Sequence, residues 1–244
     1  MPAKNVFPLT LRLTLLRLGR SKFTIAVAAF LPAFLVFLGV RASYETAMKF
    51  FLFFFPYVFL VAAQDMTATE VGGGALENVL FIGGNFRGYL WRKNFALAAA
   101  AAVYAGAIFL FVALWGIAGR EFSPFSTLQF ALGVLAGFYY ISAAGALSHF
   151  LKGGSNVVVI LLVQAAALLG LLFSATSRTG FIDHLETGRF PDLRSRLLFL
   201  GFASIFPNLI VSPRLIRGGF AVAAGLVAAL LLQKARVRRL ELRK

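Results

Sequence analysis

Apolar residues along this chain gather in long unbroken blocks. They show neither the alternation of a half-buried strand nor the three-and-four spacing of a water-facing helix. Six blocks approach the ~20 apolar residues a helix needs to cross a ~30 Å hydrocarbon core: residues 23–40, 47–64, 94–118, 124–150, 156–175 and 215–233. The pattern predicts an all-α integral membrane protein with six transmembrane helices, forming a single transmembrane domain over residues 1–244. Pro56, inside the second block, predicts a kink there.

Two stretches frame the spans without crossing. Residues 8–20 (PLTLRLTLLRLGR) place Thr10, Thr14 and Arg17 on one stripe at helical spacing, with leucines over most of the rest. That pattern predicts an interfacial helix within residues 1–22, lying in the membrane surface. The apolar run 197–211, interrupted by Pro207, is too short to span, because 1.5 Å of rise per residue falls well below ~30 Å. It is expected to form a re-entrant or interfacial segment within the outer loop 176–214, before the last span and the basic tail 234–244.

Charge sets the orientation. With six spans, fifteen of the 24 basic residues fall on the side of the N-terminus and nine on the other. Cytoplasmic loops carry the excess of Lys and Arg, so both termini are expected in the cytoplasm and the chain in the inner (cytoplasmic) membrane. Counting 197–211 as a seventh span would put the six basic residues of the tail outside. The first apolar run is followed by no small-residue cleavage site, so it is expected to be retained as a span.

Composition sharpens this picture. Hydrophobic residues make up 60% of the 244 and charged residues 14%, against ~25% charged in a soluble domain. The formal charge of +15 would point to nucleic acid in a soluble protein. Here the basic residues cap apolar runs, which fits anionic lipid headgroups, and no nucleic-acid partner is expected. Without cysteine there is neither a disulfide framework nor a thiolate site. Two histidines, His149 and His184, leave little for metal or acid–base chemistry.

Familiar catalytic motifs are missing. Lys152-Gly153-Gly154-Ser155 has the residues of a phosphate loop in the wrong order, and Gly72-Gly73-Gly74 lacks the strand, turn and lysine that phosphates require. No catalytic, cofactor-binding or metal-binding residue is assigned, and the chain is not expected to be an enzyme by itself. The spans hold almost no ionisable group, whereas an ion-coupled carrier needs ligands near the midplane. What the midplane offers is Gln164, Tyr139, Tyr140, Ser142 and Tyr104. Gln164 reads first as an interhelical hydrogen bond. Tyr139, Tyr140 and Gln164 are also the candidates for lining a substrate path. Small residues at 98–102, 143–146 and 221–229 read as close helix packing.

The longest inner connection, 65–93, carries Gly74-Ala75-Leu76-Glu77-Asn78-Val79-Leu80, then Gly83 to Arg87, then Tyr89-Leu90-Trp91-Arg92-Lys93 at the mouth of the third span. This loop resembles that of ATP-binding-cassette type-2 exporter permeases. There, a Gly-Thr-(Leu or Ile)-Glu-x-Leu-Leu segment is followed by a loop with Pro and Arg, and an aromatic-Leu-Leu-Gly-Lys run opens the third span. Gly74, Leu76, Glu77, Leu80, Arg87, Tyr89, Leu90 and Lys93 fall in step with that pattern. Ala75 stands where Thr is usual, Gly83 where Pro is usual and Arg92 where Gly is usual.

The resemblance implies the membrane-spanning permease subunit of an ATP-driven exporter, with the loop as the element that couples it to an ATPase. It implies cytosolic ATP-binding-cassette ATPase subunits as partners, which would carry the ATP and magnesium, and a second permease chain in a homodimer or related heterodimer. A short helix with Glu77 beside Leu76, Val79 and Leu80 suits a groove on such an ATPase. The plainer reading is a solvated loop whose acidic first turn favours the helix dipole. The apolar, aromatic spans favour a lipid-like or amphiphilic cargo over a small ion. Two other classes remain open. A structural or assembly subunit of a membrane complex would need no motif. A membrane-embedded lipid-modifying enzyme or protease would need clustered polar groups, and Asp183, His184 and Glu186 are the one such cluster.

Overall fold

The computed structural model describes residues 6–64, 86–151, 155–176 and 181–241. Those residues are all helical or in short turns, with no strand among them. The elements in order are α1 (Val6–Leu18), α2 (Lys22–Arg41), α3 (Tyr44–Phe54), α4 (Pro56–Ala62), α5 (Phe86–Ala118), α6 (Phe125–Leu147), α7 (Ser155–Thr176), α8 (Phe181–Thr187) and α9 (Leu193–Ile205). Two short 3₁₀ segments, Pro207–Val211 and Pro213–Gly218, then lead into α10 (Gly219–Glu241).

Six helical stretches are long and apolar enough to cross a membrane: Lys22–Arg41, Tyr44–Ala62, Trp91–Ala118, Phe125–Leu147, Ser155–Phe173 and Pro213–Ala235. They coincide with the six blocks of the sequence, and they make the chain a multi-pass helical membrane protein.

Local chemistry explains the breaks. Ser21 caps α2 by accepting from the Thr24 N–H at 3.3 Å, and Ser43 caps α3 by accepting from Thr46 N–H at 3.1 Å. Each satisfies an N–H that the first helical turn leaves orphaned. Pro56, with no N–H to give, divides the second span into α3 and α4 and occupies the start of α4. The break is local: Phe55 keeps right-handed helical backbone angles, and its N–H still reaches the Phe51 carbonyl at 2.9 Å. Between α5 and α6 the chain turns at Arg120, whose φ of 60° lies in the left-handed region, while Glu121 and Phe122 N–H groups return to the Gly116 carbonyl at 2.8 and 3.1 Å.

The spans fall into two classes. In the second, third and fourth, 50%, 44% and 50% of the residues are buried; in the first, fifth and sixth the share is 11%, 17% and 17%. α3–α4, α5 and α6 therefore form the centre, and α2, α7 and α10 lie outside them.

The centre is an aromatic stack. Phe51, Phe55 and Phe59 are fully buried, and Phe130 of α6 lies 4.9 Å from Phe55 and 4.4 Å from Phe109 of α5, ring centre to ring centre. Such offset rings add attraction beyond their buried area. Glycines on α6 make room for them: a Cβ on Gly137 would stand 2.5 Å from the Phe59 ring, and one on Gly133 would collide with Phe55. Lipid tails are as apolar as these side chains, so the fit of surfaces and the polar bonds across them do the holding.

The outward faces of the peripheral spans are apolar and exposed, as at Val40, Leu162, Leu172 and Phe220. Lipid is their solvent.

The N-terminal helix has a defined facing. Thr14, on the polar stripe, is buried at 6% exposure, and Arg17 is half-buried, whereas Leu15 and Leu16 are each 51% exposed. α1 lies along α5 with Thr14 and Arg17 turned toward the bundle and Leu15 and Leu16 outward.

Candidate functional site

Two layers of buried polar side chains run through the bundle, and a cavity lies beside the second. The first layer sits near the middle of α6 and α7. Gln164, 4% exposed on α7, accepts from the Tyr57 hydroxyl at 3.0 Å. Its amide nitrogen donates to the Tyr140 hydroxyl at 2.7 Å and to the Ile205 carbonyl at 2.8 Å. The Tyr140 hydroxyl, 1% exposed, donates in turn to Asn208 Oδ1 at 2.7 Å, and Asn208 Nδ2 donates to the Phe53 carbonyl at 2.6 Å. Tyr139 donates to the Ser204 carbonyl at 2.7 Å.

One network thus ties α3, α4, α6, α7 and the end of α9. Phe53 is reached because the helix breaks beside it: with no N–H at Pro56 and a new helix starting there, carbonyls in that turn are short of intrahelical partners.

The same bonds fix the path of the segment after α9. Ser204, Ile205 and Asn208 meet Tyr139, Gln164 and Tyr140 at mid-helix. Three residues beyond Asn208, the Val211 carbonyl accepts from Gln129 Nε2 at 3.0 Å, in the second turn of α6. Gln129 and Tyr140 lie about 16 Å apart along α6. Residues 204–208 thus meet α6 and α7 at mid-helix, and Val211 meets α6 near its first turns, before the last span begins at Pro213.

The second layer lies at the end that holds α1. Gln233 Nε2 on α10 donates to the Ser142 carbonyl at 2.7 Å, and its Oε1 accepts from Asn94 Nδ2 of α5 at 3.0 Å. Gly145 of α6 gives this amide its room, since a Cβ there would stand 2.5 Å from Gln233 Nε2. Asn156 Nδ2, at the start of α7, donates to the carbonyls of Ala144 at 3.1 Å and Ala63 at 3.3 Å.

Beside that layer is a cavity of about 170 Å³ lined by Thr14, Arg17, Leu18, Ser21, Phe23, Thr24, Val61, Ala62, Gln64, Lys93 and Leu97. It opens between α1, the first turn of α2, the end of α4 and the span-opening turns of α5. Lys93 is only 4% exposed, so its ammonium does not reach out to the surface as a boundary lysine would.

Of the residues singled out from the sequence, Tyr139, Tyr140 and Gln164 come together in the first layer. Gly74, Leu76, Glu77, Val79 and Leu80 lie outside the described residues. Arg87 and Tyr89 belong to the first turns of α5, which runs unbroken from Phe86 into the third span, and Lys93 lines the cavity. Tyr57 and Asn208 were not singled out. Each is a lone polar group in an apolar run, and only the pairing across helices distinguishes it.

Asp183, His184 and Glu186 share the short helix α8, and among the described residues no group of three His, Cys, Asp or Glu could hold a metal ion. Chemically, the first layer is a set of neutral groups with their hydroxyl donors engaged, suited to bracing helices.

No family model matches the chain, and no curated protein matches it. The resemblance of residues 74–93 therefore stands on those residues alone.

Proposed function

We propose that this chain is the membrane-spanning permease subunit of an ATP-driven exporter of the ATP-binding-cassette type, moving a lipid-like or amphiphilic cargo. The observation that carries the reading is the pattern Gly74, Leu76, Glu77, Leu80, Arg87, Tyr89, Leu90 and Lys93 in the connection between the second and third spans. Three features support it: six apolar helices in the expected order, a helix packed beside α5 before the first span, and a short segment before the last span that bonds to α7 at mid-helix and to α6 near its start. In this reading α1 lies at the cytoplasmic boundary, residues 193–211 form a re-entrant element on the outer side, and both termini are cytoplasmic.

The mechanism follows from mechanical continuity. Cytosolic ATPase subunits bind ATP with magnesium and close on one another. The loop seated in their groove moves with them, and α5 carries that movement into the third span because no break separates its first turn from its membrane portion. A second permease chain supplies the other wall of the path. Binding at the ATPases can shift the spans only by its differential affinity for their two arrangements. The bonds joining Tyr57, Gln164, Tyr140 and Asn208 are part of what the shift must rearrange. Tyr139, Tyr140 and Gln164 meet cargo only once they open.

The test is at the loop. Glu77→Lys puts like charge or an unpaired carboxylate partner into the docking contact, at a cost of about 2–5 kcal/mol of association if the pair is buried. Leu80→Asp drives a carboxylate into an apolar groove. Both variants should express and withstand detergent as wild type does, while co-purification of the ATPase, or its turnover in the same membranes, falls. Normal binding and stimulation by both would remove the loop from the mechanism. It would favour the second reading, a structural subunit, which the fully engaged polar network at mid-bundle also suits.

A further inference from the structure

We propose that the cavity between α1 and the ends of α2, α4 and α5 is a binding site for one phosphate-bearing anionic lipid. The proposal does not depend on the exporter reading.

The cavity's walls are divided by chemistry. Lys93 and Arg17 bring two cations; Thr14, Ser21, Thr24 and Gln64 bring hydroxyls and an amide; and none of the described lining residues is a carboxylate. Leu18, Phe23, Val61, Ala62 and Leu97 make the remaining wall apolar. At about 170 Å³ the space is several times what one water occupies. Lys93 and Thr14 are buried at 4% and 6% exposure, so the polar groups are built into the wall and do not stray over a surface.

An ammonium offers three donors and a guanidinium five, so each can serve a ligand oxygen while keeping its contacts within the protein. Phosphate oxygens are the acceptors that Arg and Lys serve best together.

Position selects the lipid over the free ion. The cavity lies where three apolar spans meet their polar ends, at Phe23, Ala62 and Leu97, which is the level of headgroups. The apolar wall is of no use to inorganic phosphate. It suits the glycerol and upper acyl carbons of a phospholipid. α1 supports the same orientation, because its polar stripe faces the cavity while Leu15 and Leu16 face outward, where acyl chains would meet them.

The experiment uses the full-length protein, purified in mild detergent and equilibrated with mixed vesicles of phosphatidylcholine and phosphatidylglycerol, with retained lipid read by native mass spectrometry. Wild type should retain phosphatidylglycerol well above its share of the mixture. Arg17→Gln should lower that enrichment about fivefold, the weight of one basic group at an anionic surface. Gln64→Glu, which keeps shape and adds a negative charge, should lower it at least as far. Lys93→Arg should keep it. Gln64→Glu guards against misfolding at the buried cation, since it alters neither volume nor the lysine.

Absence of enrichment in wild type, or enrichment in Arg17→Gln and Gln64→Glu equal to that of wild type, would overturn the proposal. Displacement of the retained lipid by millimolar inorganic phosphate would overturn the lipid assignment in favour of the free ion.

Discussion

Gln164 shows how much one neutral side chain can organise in lipid. It bridges Tyr57, Tyr140 and the Ile205 carbonyl, and thereby three parts of the bundle that are distant in sequence. Interhelical hydrogen bonds in membranes average about 0.6 kcal/mol and reach about 1.7, so three of them through one residue are worth about 2–3 kcal/mol together. Gln164→Leu should therefore lower stability in a mixed-micelle unfolding series by about that amount, with expression retained. An unchanged unfolding midpoint would mean that the bonds are not formed in the membrane. That Gln164 would bond between helices was legible in the sequence, because an amide in an apolar span has few alternatives. Its partners were not, since tyrosines are common in such runs and Asn208 sits in a stretch too short to be read as a span. Nothing in the sequence marks Lys93 as buried, since a lysine at a span's edge ordinarily stretches toward water, yet it is 4% exposed and lines the cavity beside α1.

Among the elements, length was the dependable signal and facing was not. The six spans were visible because nothing else accounts for so many apolar blocks of that length, and the break in the second was visible at Pro56. The facing of α1 was hidden. Its leucines cover most of the cylinder, so the narrow stripe of Thr14 and Arg17 could point to water or to the bundle, and packing against α5 decided it. The apolar run 197–211, expected from its length not to cross, occupies the end of α9 and the first 3₁₀ segment. Its path predicts a labelling pattern. Cysteines introduced at Arg196, exposed on α9, and at Ser212, just after the return, should both react with an impermeant reagent from the outer side. Reaction of Ser212→Cys from the cytoplasmic side alone would require a seventh crossing.

At the scale of the whole molecule, the distribution of basic residues over six crossings predicts which end faces the cytoplasm. Reporter fusions at Lys244 and within residues 183–189 should therefore report opposite compartments, with Lys244 in the cytoplasm. Two reports from the same side would overturn the six-crossing arrangement. Partners and cargo are less legible at this scale, because composition speaks to the solvent around a protein more than to what passes through it.

The division into three central and three peripheral spans has a consequence for biogenesis. The first span has a mean hydropathy of 2.5 and needs little from its neighbours, whereas the second has only 1.5 and is half enclosed by protein in the finished bundle. Much of what makes the second span tolerable in a bilayer is therefore α6, against which Phe55 and Phe59 pack, and α6 is synthesised two spans later. A nascent chain ending soon after Gln64 must hold a poorly buried, Pro-broken segment at the insertion machinery until its partner emerges. Glycosylation mapping of truncated chains should show this as incomplete integration of residues 44–62 when the chain stops before α6, and full integration once residue 151 has been made. Equal integration of the two truncated forms would mean that hydropathy alone carries the second span into the membrane.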